Sequence, residues 1–194
     1  AQNVPLNKFL LCLLLKTCYT ISMHTPRVSL IVAMDEQRGI GKGGKIPWHI
    51  KDDLVRLKKL TLGHVVILGR KTYESMVWYY NRSGRPMPGK TYLVVTRNQS
   101  YKPERDHAIV VTSIAEAIEK AVNLEQEECF IIGGEQIFRE VMEKGLADRL
   151  YMTLVKGDYG ADTFFPDYSA FTKVLKKEEG TSEGYAYTFI DLEK

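Results

Sequence analysis

From Pro26 onward the chain alternates short apolar runs with stretches of helical period, and few folds accommodate that alternation. The runs VSLIVAM (28–34), HVVILG (64–69), TYLVVT (91–96), HAIVVT (107–112), CFIIGG (129–134) and RLYMTLV (149–155) have strand length and are rich in β-branched residues. They are apolar throughout rather than at every second position. Such strands are covered on both faces, as in a parallel-dominated sheet with helices on either side. Helices are predicted over Ile50–Leu60, Lys71–Val77, Ile114–Leu124 and Gln136–Lys144. The third opens on Ser113 with Glu116 three residues on, a capping box that satisfies two orphan backbone donors. The fourth stops at Gly145, the residue type that most often ends a helix. Phe171–Lys177 and Tyr185–Leu192 flank EEGTSEG, which reads as a turn, so an antiparallel strand pair is expected at the sheet edge.

Composition supports a globular α/β chain. The 194 residues are 44% hydrophobic and 26% charged, which excludes a disordered tail or a multi-span membrane protein and suits one domain with a sizeable core. Lys and Arg exceed Asp and Glu by 27 to 24, and the cations are scattered, so nucleic-acid binding is not expected as the main function. Cys12, Cys18 and Cys129 form neither a disulfide framework nor a zinc-ligand spacing, so a reducing, cytoplasmic setting is expected.

Residues 1–26 stand apart. Phe9 to Leu15 read FLLCLLL between Lys8 and Lys16. Seven apolar residues fall far short of the roughly 20 that span a bilayer, so no stable membrane insertion is expected. As a secretion signal the stretch is interrupted by Lys16 and lacks a small-x-small cleavage pattern. It reads as an apolar appendage that packs on the domain or on a second copy. The chain is otherwise expected to be a monomer, with a dimer formed only through this segment. Met23 opens MHTPRVSLIVAM, a natural chain start that would make residues 1–22 an upstream extension.

Parallel sheets bind ligands at the carboxyl ends of their strands, and three such ends carry unusual residues. CFIIGGEQIF runs from strand through Gly133 and Gly134 into a helix: either a tight turn, or a backbone that approaches a phosphate at a helix start. HVVILGRKTYES ends a strand at Gly69 and opens a helix with Arg70, Lys71 and Thr72, where the helix dipole disfavours cations. TYLVVTRN closes another strand with Thr96 and Arg97. Singly these are surface cations; together with the glycines they suit a dinucleotide carrying an extra 2′-phosphate.

In HIKDDLVRLKKL, successive residues turn by about 100°. Asp53 then falls inside the stripe of Ile50, Leu54, Leu57 and Leu60, while Asp52 falls on the wet side. A carboxylate on an apolar face needs a partner or a task. Asp53 is either a first-turn acid serving the helix end or a lone acid that binds a donor-rich heterocycle and manages one proton. Ahead of it, RGIGKGGKIPWH (38–49) holds four glycines and then Pro47 and Trp48, which reads as a lid ending in a fixed aromatic or as a long glycine-rich loop.

In their order, VSLIVAM, GIGKGGKIPW, the acid in KDDL, LGRKTYES, GRPMPG, VVTR, FIIGGEQIF, LYMT and ADTFFPD resemble dihydrofolate reductase over about Arg27 to Lys194. The resemblance implies a reductase domain over 27–194 with a central, mostly parallel eight-stranded sheet, about four helices and an antiparallel C-terminal strand pair. The implied reaction is NADPH-dependent reduction of 7,8-dihydrofolate to tetrahydrofolate, with antifolates as further ligands. Asp53 would hold the pterin and assist protonation at N5, with Thr153 bonded to it and Trp48 in the lid. Ile31, Val32, Ala33, Leu54, Leu57, Met76 and Ile132 would line the substrate pocket. The cofactor would meet Ala33, Ile40, Gly41 and Ile46. Its phosphates would meet Arg70, Lys71, Thr72, Thr96 and Arg97, and the cofactor would further meet Gly69, Ile132, a cis-linked Gly133–Gly134 pair, Glu135, Gln136, Ile137 and Phe138.

Two places depart from the family pattern. Lys90 stands where the family has the arginine that grips the substrate's glutamate carboxylate, and an ammonium cannot make that flat two-point contact. VWYYNRS (77–83) lengthens the stretch before GRPMPG and could extend the helix, cover the pocket mouth or touch residues 1–26. The alternative functions are a reductase of the same fold acting on another pterin or a pyrimidinone, and a binding module without catalysis.

Overall fold

The structure is a computed structural model that describes residues 25–125 and 127–194, so the apolar run 9–15, Cys12, Cys18 and Met23 lie outside the described residues. In chain order the elements are β1 (Arg27–Asp35), β2 (Gly39–Gly41), α1 (Lys51–Thr61), β3 (Val65–Gly69), α2 (Arg70–Ser83), β4 (Thr91–Val95) and β5 (Ala108–Val111). They continue with α3 (Ile114–Leu124), β6 (Glu128–Ile131), α4 (Glu135–Glu143), β7 (Arg149–Val155), β8 (Thr163–Phe164), β9 (Lys173–Ser182) and β10 (Tyr185–Glu193). Eight strands form one sheet in the order β5-β4-β3-β6-β1-β7-β10-β9. The pairs from β5 to β7 are parallel, and β10 runs antiparallel to both its neighbours. No helix among the described residues is long and apolar enough to cross a membrane.

Alternation along the central strands sorts their side chains between two cores. On one face Val28, Leu30, Val32 and Met34 of β1 join Leu150 and Met152 of β7 and the apolar sides of α3 and α4. On the other, Ile31 with Phe130 and Tyr151 packs under Leu57 and Leu60 of α1. Ala33 on that face packs instead against a cluster of Trp48, Ile50, Val155 and Tyr187. Residues from β3, α2 and β4 complete the same side, with Leu68, Tyr73, Val77 and Tyr92 among them.

Helix ends follow local chemistry. Ser113 Oγ accepts the Glu116 N–H at 3.1 Å, but the Glu116 carboxylate reaches one residue farther back than a capping box requires, to the Thr112 N–H at 2.7 Å. Two hydrogen bonds from Thr112 hold that carboxyl below its usual range. At the end of α4 the Gly145 N–H donates to Met142 O and the Leu146 N–H to Val141 O, both at 3.0 Å, with Gly145 at φ 63°. That is the Schellman closure, and it needs the left-handed residue.

Three expectations are corrected. Helix α2 runs to Ser83 rather than Val77, because Tyr73, Val77 and Tyr80 recur on one buried face and Gly84 (φ 65°) is the first residue to stop it. EEGTSEG is mostly strand: β9 continues to Ser182 and only Glu183 and Gly184, both at positive φ, make the turn. Gly180 is needed for packing against its cross-strand partner Tyr187, whose hydroxyl would lie 2.5 Å from an added Cβ. Finally, CFIIGG is strand only to Ile131, since Gly133 takes φ 100°; the Gly133–Gly134 bond is cis.

Candidate active site

The loop 38–49 is anchored rather than free along its first half. Strand β2 pairs with β8, Lys42 bridges Lys45, and Asp162 accepts the Gly43 N–H at 2.7 Å. Asp35, fully buried at the end of β1, accepts the N–H groups of Gln37, Gly39 and Tyr159 and so ties the loop base to the segment after β7. Ile46 is 63% exposed, whereas Trp48 is buried edge-on to Tyr159 at 5.3 Å between centroids. The Trp48 indole N–H is buried with no partner among the described residues.

Beyond Trp48, α1 crosses the sheet face formed by β1 and β7. Ala33 stands opposite Thr153 in the parallel register, so both project toward α1. The Thr153 hydroxyl donates to Asp53 Oδ1 at 2.6 Å. Burial pushes the Asp53 carboxyl up; the Thr153 bond and the nearby Arg56 charge pull it partly back. Arg56, one turn along α1, donates from Nη1 to Met152 O at 2.9 Å and to Thr153 Oγ1 at 3.3 Å, and pairs through Nη2 with Asp191 of β10. Asp52 is exposed and accepts the Tyr187 hydroxyl at 2.7 Å; burial and then that bond push the phenol up to about 12. Ile31, Leu57 and Ile132 share the cluster under α1, Ala33 belongs to the Trp48 cluster, Leu54 is half-buried next to Asp53 on α1, and Met76 lies with Ile132 in the cluster under α2.

A second group of backbone atoms gathers at the carboxyl ends of β3, β4 and β6. The Gly69 N–H donates to Gly133 O at 2.7 Å, and Gly69 is level with Val95, which brings Thr96 alongside. A Cβ on Gly134 would lie 3.4 Å from Thr72 Oγ1. Helices α2 and α4 start at Gly69 and Gly134, neither capped by a side chain, so their positive ends and first N–H groups converge. Arg70 pairs with Glu74 at 2.9 Å, while Lys71 and Arg97 are exposed and make no ion pair among the described residues.

Residues 27–194 match the family model described as dihydrofolate reductase. The chain belongs to the dihydrofolate reductase family. It is 37% identical over 171 residues to dihydrofolate reductase of Bacillus subtilis, covering 86% of this chain and 94% of the relative. It is 39% identical over 173 residues to dihydrofolate reductase type 3 of Salmonella typhimurium, covering 86% and 98%. A solved dihydrofolate reductase from Enterococcus faecalis, complexed with NADP(H) and RAB-propyl, superposes with a TM-score of 0.72 at 32% identity, covering 87% of this chain and 96% of that one. The fold is therefore that of a dihydrofolate reductase, and the family's reaction, NADPH-dependent reduction of dihydrofolate, is this chain's class of activity.

Within this dihydrofolate reductase fold several residues singled out from the sequence take core, paired or surface positions. Ile137 and Phe138 are core residues packed against the glycines, with Ile137 Cγ1 3.5 Å from where a Cβ on Gly69 would stand and the Phe138 ring 2.7 Å from one on Gly133, and their N–H groups both donate to Gly134 O at 3.0 Å. The Val32 side chain points into the opposite core, because it alternates with Ile31 and Ala33. Ile40 packs against that same core, and Gly41 is buried in the β2–β8 pair. Glu135 is paired with Arg139, and Gln136 beside it is exposed. Lys90 sits at the amino end of β4, its ammonium on Leu124 O at 3.0 Å in a polar cleft with His64, Glu125 and Glu127. VWYYNRS extends α2, leaving Trp78 62% exposed with the Arg82 guanidinium 5.5 Å from its ring. Arg56 and Asp191 are not among the residues the sequence singles out; the signal is the i, i+3 spacing of Arg56 from Asp53 and the acid Asp191 set between Ile190 and Leu192 in the strand YAYTFIDLE.

Proposed function

We propose that the dihydrofolate pterin is bound and reduced against Asp53, and the hydrogen bond between half-buried Asp53 and buried Thr153 is the observation that carries this reading. A carboxylate offers two coplanar acceptor oxygens, which match the two N–H donors on the amidine-like edge of a pterin. Thr153 has one hydrogen and two lone pairs; its hydrogen goes to Asp53, and a lone pair can take the pterin amino group. Reducing the C6=N5 bond adds a hydride at C6 and a proton at N5. The negative charge of Asp53 raises the proton affinity of the ring beside it, and the burial that raises its own proton affinity lets the acid–substrate pair retain a proton nearer neutral pH. Ile31, Ala33, Leu54, Leu57, Met76 and Ile132 exclude water from the ring, and Trp48 closes the wall next to the anchored loop.

The glycine cradle fits NADPH, whose nicotinamide supplies the hydride when it is bound. Gly69, Gly133 and Gly134 allow close backbone approach, and the uncapped starts of α2 and α4 favour an anion between them. Thr72 and Thr96 can donate to phosphate oxygens, and Arg70, Lys71 and Arg97 supply the charge that a 2′-phosphate requires. One copy holds every group named, so the working unit is proposed to be a monomer; the buried free thiol of Cys129, pushed up to about 12 by desolvation, suits a reducing cytoplasm.

The test follows NADPH absorbance with dihydrofolate and, separately, with a pyrimidinone. Consumption with dihydrofolate that Asp53→Asn lowers about a hundredfold or more supports the reading. Turnover of the pyrimidinone alone would overturn it.

A further inference from the structure

The cation beside Asp53 is placed to do more than join a helix to the sheet. A guanidinium has only donors, so Thr153 Oγ1 must accept from Arg56, and its single hydrogen is directed to Asp53. The guanidinium is itself fixed from three sides: Met152 O accepts at 2.9 Å, Asp191 takes Nη2, and the Phe189 ring lies 4.5 Å away. The Arg56 and Asp191 side chains are only 13% and 18% exposed, so solvent screens their charges weakly.

We propose that Arg56 is a positioning residue for the reductase reaction: it holds the Thr153 hydroxyl as a donor to Asp53 and, with its charge metered by Asp191, sets how readily the Asp53–substrate pair takes up its proton. This rests on the reading of Asp53 given above.

The groups packed around Asp53 are Asp52 and Arg56 on α1, Tyr151 and Thr153 on β7, and Tyr187 and Asp191 on β10, with Glu178 of β9 interacting with Arg56 and Lys59. Arg56 is the cation that opposes the effect of burial on Asp53. Removing its charge strengthens proton binding by Asp53; removing the Asp191 charge, which offsets Arg56, weakens it. The two single variants therefore have opposite signs, a pattern that loss of a structural strut does not produce.

The experiment titrates the Asp53 carboxyl by carbon-13 NMR in the unliganded full chain and measures kcat/KM for dihydrofolate against pH. Because the reaction consumes a proton, kcat/KM falls as pH rises through the proton affinity of the Asp53–substrate pair. Arg56→Met should raise that affinity about threefold or more, moving both the carboxyl midpoint and the falling limb to higher pH. Asp191→Asn should move both to lower pH. Arg56→Lys should restore the midpoint while kcat/KM stays low, because one ammonium cannot hold Met152 O, Thr153 and Asp191 in the same geometry. If Arg56→Met does not fold, Asp191→Asn carries the test alone. Unmoved midpoints in the variants that fold, with changes only in Tm or KM, would overturn the proposal. Parent-level turnover by Asp53→Asn would overturn the reading of Asp53 instead, and the carboxyl titration would still decide whether Arg56 governs that group.

Discussion

Thr153→Val isolates the bond on which the site turns. Thr153 is 1% exposed, and valine matches its shape and β-branching, so the change opens no cavity and keeps the strand preference. What is lost is the hydroxyl that donates to Asp53 Oδ1 at 2.6 Å and accepts from Arg56 at 3.3 Å. Arg56 keeps Met152 O and Asp191, so the cost falls mainly on Asp53, a half-buried carboxylate deprived of its donor. A hydrogen bond to a charged group contributes about 1.5–3 kcal/mol. At about 2–4 °C per kcal/mol for a domain of this size, Tm should fall by about 3–12 °C at neutral pH. The pH dependence has a definite sign. Losing a donor to the ionised form raises the folded-state pKa of Asp53 further above its unfolded value. The penalty is therefore full above that folded-state pKa and fades as pH falls through it, where the carboxyl is neutral in both proteins. Urea unfolding of parent and variant across a pH series reads this directly, and a cycle with Asp53→Asn isolates the pair. A penalty under about 0.5 kcal/mol at neutral pH, or one that is the same at every pH, would refute the assignment of a charged acceptor.

Asp53→Asn should raise the Tm of the unliganded protein at neutral pH while abolishing most turnover, because the ionised carboxylate is held against desolvation; calorimetry should show the gain shrinking as pH falls through the Asp53 pKa, and a loss of stability would contradict it. In Gly133→Ala the new Cβ would stand 2.7 Å from the Phe138 ring at φ 100°, so NADPH affinity by fluorescence titration should drop about tenfold or more, with a stability loss of about 1–3 kcal/mol. Gly180→Val should cost about 1–3 kcal/mol in urea unfolding by displacing Tyr187 from Asp52, and an unchanged midpoint would show that the ring has room to move. A chain starting at Met23 should keep the kcat/KM of the full chain, since every group assigned to the site lies within 27–194; a tenfold fall in a steady-state assay would place residues 1–22 in the catalytic unit.

The parts of the fold visible in the sequence are those fixed by local pattern. Unbroken apolar runs such as VVILG and RLYMTLV leave little choice but a sheet covered on both faces, and Ser113 and Gly145 mark helix ends by their own hydrogen-bonding chemistry. Asp53 was legible because helical period alone puts it on the apolar face of α1. EEGTSEG was not: Gly180 signals a turn by composition, yet it is in strand because a tyrosine ring across the hairpin needs the space, and that partner is invisible locally. Ile137 and Phe138 follow the glycine pair in sequence, and the amphipathic face of α4 packs their side chains into the core against Gly69 and Gly133, a contact that the sequence order alone does not show.

The same distinction explains why Arg56 was overlooked and why it matters. A basic residue on an exposed-looking turn of α1 is a solvated cation until a partner is found, and its partner Asp191 lies 135 residues away on β10, brought close only by the antiparallel pairing of β10 with β7. That pairing sets Asp191 opposite Tyr151 and Phe189 opposite Thr153, so one strand supplies both the counter-ion and the ring that hold the guanidinium beside the Thr153 hydroxyl. A one-residue slip of β10 would reverse which face Asp191 occupies and leave Arg56 buried without its anion. The register of β10 thus bears on the chemistry of Asp53 even though β10 contributes no residue proposed to touch the substrate.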